Sequence, residues 1–496
     1  GITIIGYLRF QFSQFLTPIS FFKRKEVEEL VPSISAIHSL SEVPVAQKDF
    51  SIRSKWTQLL YLAGFEFKKM AKSNFFIIIS ALGVVAMFII FRFLGAIYGT
   101  ETYPVTYNIL GTAANLFHFF ILIMIVFFSG TIIWRDRENK EDELIGTTPV
   151  SDTILFFSKY LALICVTAVL LFVIMLTGIS IQLTQAFTDI QPLQYIKTLF
   201  GMRLIGFIIS IGLCLAVQIF ASNKYLGFFL SVFFMMLLNI LFRLMEWTNP
   251  LYIFNSGGPL MPYSDMNGFG HMPPVFFLFK TYWLAIVTCI AIVAIRFFPR
   301  GKENRLKARF NLSRYSMQRP AKLSLLLSII IASALGSFIY YNIEVLNKYI
   351  SPKQLEHLQV DYEKQYKKYK KTLQPRIVQS TVQVDIFPYE RSLHVKGFYY
   401  LKNKHTVSID TLFLNYDTEM GYKKIELSTP NKIIEENTEI GLKLIKLSTP
   451  IAPGDSVKLD FELDYAPHGF KADDAQTDIV YNGTFINNKL FPSLGY

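Results

Sequence analysis

The chain has 496 residues, of which 52% are hydrophobic and 17% are charged, and its mean hydropathy is +0.35. Soluble globular proteins rarely combine so much apolar sequence with so little charge, whereas chains with several membrane-spanning helices do. The net charge of +12 does not indicate a nucleic-acid-binding protein. The basic residues flank long hydrophobic segments, where Lys and Arg set the orientation of membrane spans. Composition therefore excludes an ordinary soluble domain and predicts a protein embedded in a lipid bilayer.

The first 73 residues precede the first complete hydrophobic segment. Residues 1–9 are apolar and short, and they end at an arginine, so we expect them to be the end of a preceding transmembrane helix. Residues 10–73 form a cytoplasmic linker whose last part, 54–73, mixes large apolar residues with lysines. A helix of this composition suits the membrane interface, and an ordinary juxtamembrane helix without a special role is the alternative.

Seven hydrophobic segments are long enough to cross the hydrocarbon core as helices, which takes about 20 residues each. Six of them lie in a unit over residues 74–299, and the seventh covers 323–343. The predicted spans are 75–98, 108–134, 153–182, 198–221, 225–244, 274–298 and 323–343.

The distribution of Lys and Arg predicts the orientation of these spans. Nine basic residues and one acidic residue lie between Arg296 and Lys322, so the loop 300–322 is predicted to be cytoplasmic. The connectors 99–107 and 245–272 contain no Lys or Arg and are predicted to lie outside. Counting spans from both markers places residues 344–496 on the extracytoplasmic side.

Two periodicities follow the last span. Within 344–375, Leu and Tyr recur at three- and four-residue steps, which predicts an amphipathic helix. From 376 to 496, apolar and polar residues alternate in runs separated by turn signals such as Pro453-Gly-Asp455, a pattern typical of antiparallel strands. The predicted fold class is therefore a multi-span α-helical membrane protein followed by an antiparallel β sandwich or saddle domain.

A dense mixture of both charge signs follows the second complete span, in the segment from Trp134 to Val150. Such a turn at the membrane surface suits docking of another protein. It resembles the coupling helix of type-2 ABC exporters, and the residues that match that pattern are Arg135, Arg137, Glu138, Glu143 and Pro149. The resemblance implies that a separate ABC ATPase subunit docks on 135–150. A plain charged loop that anchors topology is the alternative.

The arrangement of the spans extends this resemblance. The six-span unit 74–299 is similar to the permease unit of type-2 ABC exporters, with the helix at 54–73 as its elbow helix. The segment at 1–9 would then end a preceding permease half, so the resemblance implies either a second permease half or a homodimer. The chain has no Gly-x-x-x-x-Gly-Lys-Ser/Thr loop, so ATP is expected on the partner subunit. A bacterial inner-membrane location follows from the same resemblance.

The β-rich segment carries a second resemblance. The run from Val384 to Gly397, the Ile451–Ser456 turn and the run from Asn482 to Tyr496 are similar to the N-terminal β domain of aminopeptidase N-like peptidases, as in bacterial fusions of a permease with such a peptidase. The catalytic motif of that family, His-Glu-x-x-His, is missing, because none of the seven His residues precedes a Glu. Zinc is therefore expected only if a catalytic domain lies beyond Tyr496.

Ionisable residues toward the outer ends of the spans are candidates for a path taken by an anionic substrate, because charges within membranes are often functional. The candidates are Arg92, Arg203, Arg243, Glu246 and Lys280. Snorkelling of the cations toward the headgroups, or a local pair between Arg243 and Glu246, is the alternative.

The sequence predicts the permease component of an ABC-type exporter, with a peptidase-like β domain outside the membrane. Two other functions stay open at this point. The spans could anchor a zinc aminopeptidase whose catalytic domain lies downstream, or the chain could be a non-catalytic envelope scaffold.

Overall fold

A computed structural model of the chain describes residues 49, 51–93, 96–97, 100–101, 103–298 and 318–496, without the side chains of 92, 93, 96, 97, 100, 101 and 114. The predictions for 1–9, for the linker up to 48 and for the basic loop as far as 317 lie outside the described residues, as does the side chain of Arg92.

The described chain contains ten helices of at least seven residues. They are α1 (Ile52–Ala71), α2 (Asn74–Phe93), α3 (Thr106–Glu138), α4 (Glu141–Thr147), α5 (Asp152–Thr184), α6 (Pro192–Phe220), α7 (Lys224–Leu244), α8 (Pro273–Arg296), α9 (Arg319–Leu346) and α10 (Pro352–Tyr366). A two-residue hairpin of β1 (Ala96–Ile97) and β2 (Thr100–Glu101) lies between α2 and α3.

Seven helices in the described residues, α2, α3 and α5 to α9, are long and apolar enough to cross a membrane. They overlap the seven predicted spans. Helix α2 ends at Phe93, before the predicted end at 98, because residues 96–97 form strand β1. Helices α3 and α5 are each 33 residues long and extend past the predicted ends. The chain is therefore a multi-pass membrane protein, and the helical part of the predicted fold class is confirmed.

Two compact units make up the chain. One comprises the described residues up to 238 together with those in 284–330, and the other comprises 239–283 together with 331–496. The core of the first unit is formed by α3, α5 and α6, whose facing side chains, such as Ile125, Val166 and Ile211, are buried. Serine side chains cap two of its helices, since Ser51 accepts a hydrogen bond at the start of α1 and Ser151 at the start of α5.

The second unit contains the C-terminal β domain, whose strands form two four-stranded antiparallel sheets with the orders β3-β4-β9-β6 and β12-β5-β8-β7 and one small hairpin, β10-β11. The strands are β3 (Arg376–Phe387), β4 (Ser392–Lys402), β5 (Ile409–Asn415), β6 (Gly421–Leu427), β7 (Asn431–Asn437), β8 (Leu442–Ile451), β9 (Ser456–Tyr465), β10 (Ile479–Val480), β11 (Gly483–Thr484) and β12 (Ser493–Leu494).

A shared apolar core joins the two sheets. Strand β9 buries every second residue from Val457 to Tyr465, as the period-two pattern predicts. Its side chains pack with residues of both sheets, including Val395 on β4 and Leu414 on β5. The β part of the predicted fold class is thereby confirmed as an antiparallel, sheet-rich domain.

Helix α10 packs on the β domain. A capping box closes its N-terminus. The Ser351 hydroxyl accepts a hydrogen bond from the Gln354 N–H, and the Gln354 side chain accepts one from the Ser351 N–H. Tyr366 is buried against Phe413 and Leu444, and its hydroxyl donates to Glu435 Oε1 at 2.7 Å. The tyrosines of the predicted amphipathic stripe thus contact the sheet that contains β5 and β8.

We predict that Phe461→Ala destabilises the β domain by about 3–5 kcal/mol, because it removes a buried ring from a core that relaxes only in part. The ring is 2% exposed and lies 4.9 Å from the Tyr399 ring, centroid to centroid. The measurement is the urea midpoint of the detergent-solubilised chain, with protease sensitivity of the β domain as the readout of unfolding. Val407→Ala, at an exposed turn, is the control and should leave the midpoint unchanged.

Candidate functional site

Helix α4 is a seven-residue helix between the long helices α3 and α5. The chain reverses at Lys140, which has a left-handed backbone (φ 56°). The first turn of α4 contains Glu141, Asp142 and Glu143, and acidic residues there are stabilised by the free N–H groups of the helix start. Leu144 is 72% exposed. Helix α4 therefore presents an acidic turn and an apolar side chain on the surface of the first unit.

Four buried charges link the helices next to α4, and we call them the charge network: Glu66 on α1, Arg135 and Asp136 on α3, and Lys159 on α5. Arg135 Nη2 contacts both Glu66 oxygens, at 2.7 and 2.9 Å. Lys159 Nζ lies 2.6 Å from Asp136 Oδ2 and 3.6 Å from Glu66 Oε1. It also donates to the Ile132 carbonyl at 2.9 Å.

The charge network contains two cations and two carboxylates, so it is neutral as a whole. All four side chains are at most 12% exposed. Burying ions away from water is unfavourable unless partners compensate them, and removal of one partner leaves an uncompensated buried charge. The network therefore fixes α1 and α5 against the end of α3 immediately before α4 begins.

A second polar contact extends from the same end of α3 toward α6 and α7. The Arg137 guanidinium lies 4.3 Å from the Trp134 ring centroid, a cation–π contact. Trp134 Nε1 donates to Gln218 Oε1 at 2.8 Å, and Gln218 Nε2 donates to Ser231 Oγ at 3.1 Å. Gln218 and Ser231 are both fully buried, so this chain of contacts joins α3, α6 and α7 inside the bundle.

The predicted coupling residues fall into two groups in the structure. Arg135 and Arg137 point into the first unit through the contacts described above. Glu138 lies at the exposed end of α3, where Lys224 Nζ is 2.7 Å from its Oε1. Glu143 and Pro149 are exposed, in α4 and just after it. Burial raises the pKa of the neighbouring Asp142, and the Arg137 charge opposes that increase.

The described residues of the predicted substrate path lie on α6, α7 and α8, with Glu246 just after α7. Arg203 is exposed, eleven residues after the start of α6. Arg243 and Glu246 are exposed at the end of α7, where the Glu246 N–H donates to the Arg243 carbonyl at 3.0 Å. Lys280 on α8 is buried, and its Nζ donates to Asn255 O at 2.6 Å and to Asn255 Oδ1 at 2.9 Å. Lys280 thus holds the loop before α8.

Sequence reasoning missed Glu66, Asp136, Lys159 and Gln218. A signal was present, because an ionisable residue inside or beside an apolar segment is a functional candidate. Lys159 lies in the predicted span 153–182, and Glu66 is the single acidic residue of α1. Their pairing depends on contacts between helices, which spacing along one helix does not reveal.

No group of three or more His, Cys, Asp or Glu side chains suited to a metal ion occurs in the part of the chain that the structure describes. The contacts of the charge network are ion pairs and hydrogen bonds. These groups suit the transmission of force and the recognition of a protein surface.

Residues 62–242 match the family model described as ABC-2 family transporter protein. The matched segment runs from within α1 nearly to the end of α7, so it includes the charge network and α4. No curated protein and no solved structure matches the chain. The family match supports an ABC-2-type permease.

We predict that Glu66→Gln destabilises the chain by about 3–5 kcal/mol, because it leaves an excess positive charge in the buried network. Adding Arg135→Gln should recover part of that loss, since the pair is then removed together. The measurement is a double-mutant cycle on reversible unfolding in mixed micelles.

The control is Glu138→Gln, which breaks the exposed pair with Lys224 and should cost less than about 1 kcal/mol. If the losses of unfolding free energy caused by Glu66→Gln and Arg135→Gln simply add in the double variant, the two residues are not coupled and the network is contradicted.

Proposed function

We propose that this chain is a membrane-spanning permease component of an ABC-type exporter, driven by a separate ATPase subunit that docks on residues 135–150. The observation that carries this proposal is the exposed acidic helix α4, held between α3 and α5 next to the buried charge network. The family match over residues 62–242 supports the same reading.

The geometry suits the transfer of force from a docked partner. A push on α4 reaches α3 and α5 directly, because both helices flank it in the chain. From α3 it reaches α1 through Arg135 and Glu66, and α6 through Trp134 and Gln218. Contiguous networks of buried polar contacts can carry coupling of this kind between rigid helices. The energy source is the partner, because the chain has no phosphate-binding loop.

Two further proposals belong to the permease hypothesis: the chain assembles with a second permease half or a second copy of itself, and it contains a path for the substrate. Helix α7 leaves most of its apolar side chains exposed, whereas α3 buries most of its own. Helix α7 therefore has surface for lipid, for a second permease half or for a second copy of the chain. Arg92, Arg203, Arg243, Glu246 and Lys280 stay candidates for contact with an anionic substrate. Lys280 is the least available of the described ones, because Asn255 already binds it.

A second candidate function is a membrane-anchored peptidase. The two antiparallel sheets of residues 376–496 are compatible with the resemblance to the N-terminal β domain of aminopeptidase N-like enzymes. In this alternative a zinc-dependent catalytic domain follows Tyr496. Chelator-sensitive hydrolysis of aminoacyl peptides by a protein that extends beyond Tyr496 would support it, and co-purification of an ATPase separates the exporter from this alternative.

We predict that Glu143→Lys abolishes association with the ATPase subunit, because it reverses a charge on the acidic face of α4. The variant should still insert into the membrane. The measurement is co-purification of the ATPase from membranes with the tagged full chain. Glu426→Lys, an equal charge reversal on the exposed strand β6, is the matched control and should co-purify the ATPase normally. Unchanged association of the Glu143→Lys variant would remove α4 as the docking site.

A further prediction concerns sidedness. If α4 is cytoplasmic and 344–496 extracytoplasmic, Val407→Cys should react with a membrane-impermeant thiol reagent in intact spheroplasts. Thr147→Cys, which is exposed in α4, should react only after permeabilisation. Reversed labelling of the two positions would overturn the proposed topology.

A further inference from the structure

The β domain is held at one end by the membrane helices of its own unit. The segment 466–475, which follows β9, carries Phe470, whose ring centroid lies 6.0 Å from that of Phe279 on α8 and 6.4 Å from that of Phe338 on α9. Phe279 is six residues into α8, which corresponds to about 9 Å along the helix. Segment 466–475 therefore packs beside the first turns of α8 and the last turns of α9.

Hydrogen bonds fix the backbone of this segment. Asn347, just after α9, donates through Nδ2 to the His468 carbonyl at 2.9 Å and to the Phe470 carbonyl at 3.1 Å. Gly469 has a left-handed backbone (φ 62°), and a Cβ there would lie 2.1 Å from Asn342 Oδ1. Only glycine fits this position without displacement of a neighbour.

The strand register defines which end of the β domain lies at the membrane. Leu393 pairs with Tyr465, and Lys402 pairs with Ser456 at the other end of β4. Since segment 466–475 continues from Tyr465, the Leu393 end is the membrane-proximal one. Strand β4 has 11 residues, so the Lys402 end lies about 33 Å farther along the strand.

The loop before α8 contacts the same end of the β domain. Asn482, in the turn between β10 and β11, donates through Nδ2 to the Met266 carbonyl. His271 lies near Arg391, at the tip of the β3–β4 hairpin. Burial, and then the Arg391 charge, lower the pKa of His271, while the Ala475 backbone raises it. The loop between α7 and α8 thus reaches both hairpins of the membrane-proximal end.

Large apolar side chains are exposed on these contacting elements, and we call them the apolar rim. The six residues are between 48% and 89% exposed. They are Leu260, Met266, Phe387, Tyr389, Tyr481 and Phe485.

The opposite end of the β domain differs in character. Its turns, 403–408, 428–430 and 452–455, expose one large apolar side chain, Val407. Isolated exposed apolar residues are ordinary on soluble surfaces, whereas a group of them marks an interaction surface. The turns of the two ends therefore differ, while the other exposed apolar side chains of the two sheets, such as Val378 and Ile434, lie along strands β3 and β7.

We propose that the apolar rim inserts into the headgroup region of the bilayer, so that the β domain rests on a lipid surface and is fixed there by segment 466–475. The lipid is the occupant that the structure favours, because the rim lies on the loop that joins two membrane helices, α7 and α8, and on hairpins bound to that loop. Tyr, Phe and Met at this depth suit the interface, where aromatic side chains are enriched.

The charges at this end indicate which lipids the rim contacts. Asp417, Glu419, Asp474 and Asp478 lie close enough together that, after burial, the neighbouring Asp474 and Glu419 charges raise the pKa of Asp478. Lys471 Nζ neutralises Glu419 at 2.6 Å. Such a surface does not attract anionic headgroups. The rim should therefore bind zwitterionic phosphatidylcholine through apolar insertion, independently of salt.

The experiment uses the full chain with Cys165, Cys214 and Cys289 replaced by Ala. Single cysteines at Phe485, Tyr389 or Val407 carry an environment-sensitive fluorophore, and the protein is reconstituted in phosphatidylcholine nanodiscs. We expect phosphatidylcholine with a nitroxide near the headgroup to quench Phe485→Cys and Tyr389→Cys but not Val407→Cys. A water-soluble quencher should show the opposite order. Addition of phosphatidylglycerol should change none of these results.

Absence of nitroxide quenching at both rim positions would overturn the proposal. A blue-shifted rim probe that neither lipid nor aqueous quencher reaches would also overturn it, because protein would then cover the rim.

A second variant tests the fixing segment. Gly469→Val should reduce nitroxide quenching at Phe485→Cys, because the new side chain meets Asn342. Gly454→Val is the matched control: Gly454 also has a left-handed backbone (φ 86°), but a Cβ there has no neighbour within 4 Å. Unchanged quenching with Gly469→Val would contradict the role of the segment. None of these outcomes depends on an ATPase partner, so they test the lipid contact separately from the exporter function.

Discussion

The arrangement of the first unit depends on the neutral group of four charges at the end of α3. Two cations and two carboxylates from three helices are buried together, with contacts of 2.6 to 3.6 Å between cations and carboxylates of different helices. Each charge is tolerated there only because the others are present. Helix α1, which is otherwise rich in exposed apolar side chains, is tied to the bundle by Glu66, and the short helix α4 is placed by the helices on both sides of it.

Much of the fold follows from periodicity and length. The seven apolar segments became seven helices because the backbone has few alternatives in hydrocarbon. The alternation along β9 became a strand with one buried face because its five apolar residues recur at every second position. The helix ends were less well predicted. Helix α3 continues through Arg135 and Glu138, since those side chains find partners on α1 and α7 that the sequence does not identify.

The candidate site was predictable in part. The charged segment after the second span marked the region of α4, and Glu143 and Pro149 lie exposed there. The charge network was not predictable as a unit, because Glu66 and Arg135 are 69 residues apart and Lys159 and Asp136 are 23 apart. The same limit applies to Gln218. In the sequence it is one polar residue in an apolar helix, and its partners Trp134 and Ser231 lie on other helices.

The 33-residue length of α3 and α5 has a mechanical consequence. Each helix is about 50 Å long, against roughly 30 Å of hydrocarbon. Lys159, one of the buried charges, lies seven residues after the start of α5, so about 10 Å of this helix separates it from the end next to α4. Helix α4 joins the ends of these two long helices. A force applied to α4 therefore acts on α5 about 10 Å from Lys159, whereas on α3 it acts directly beside Arg135 and Asp136.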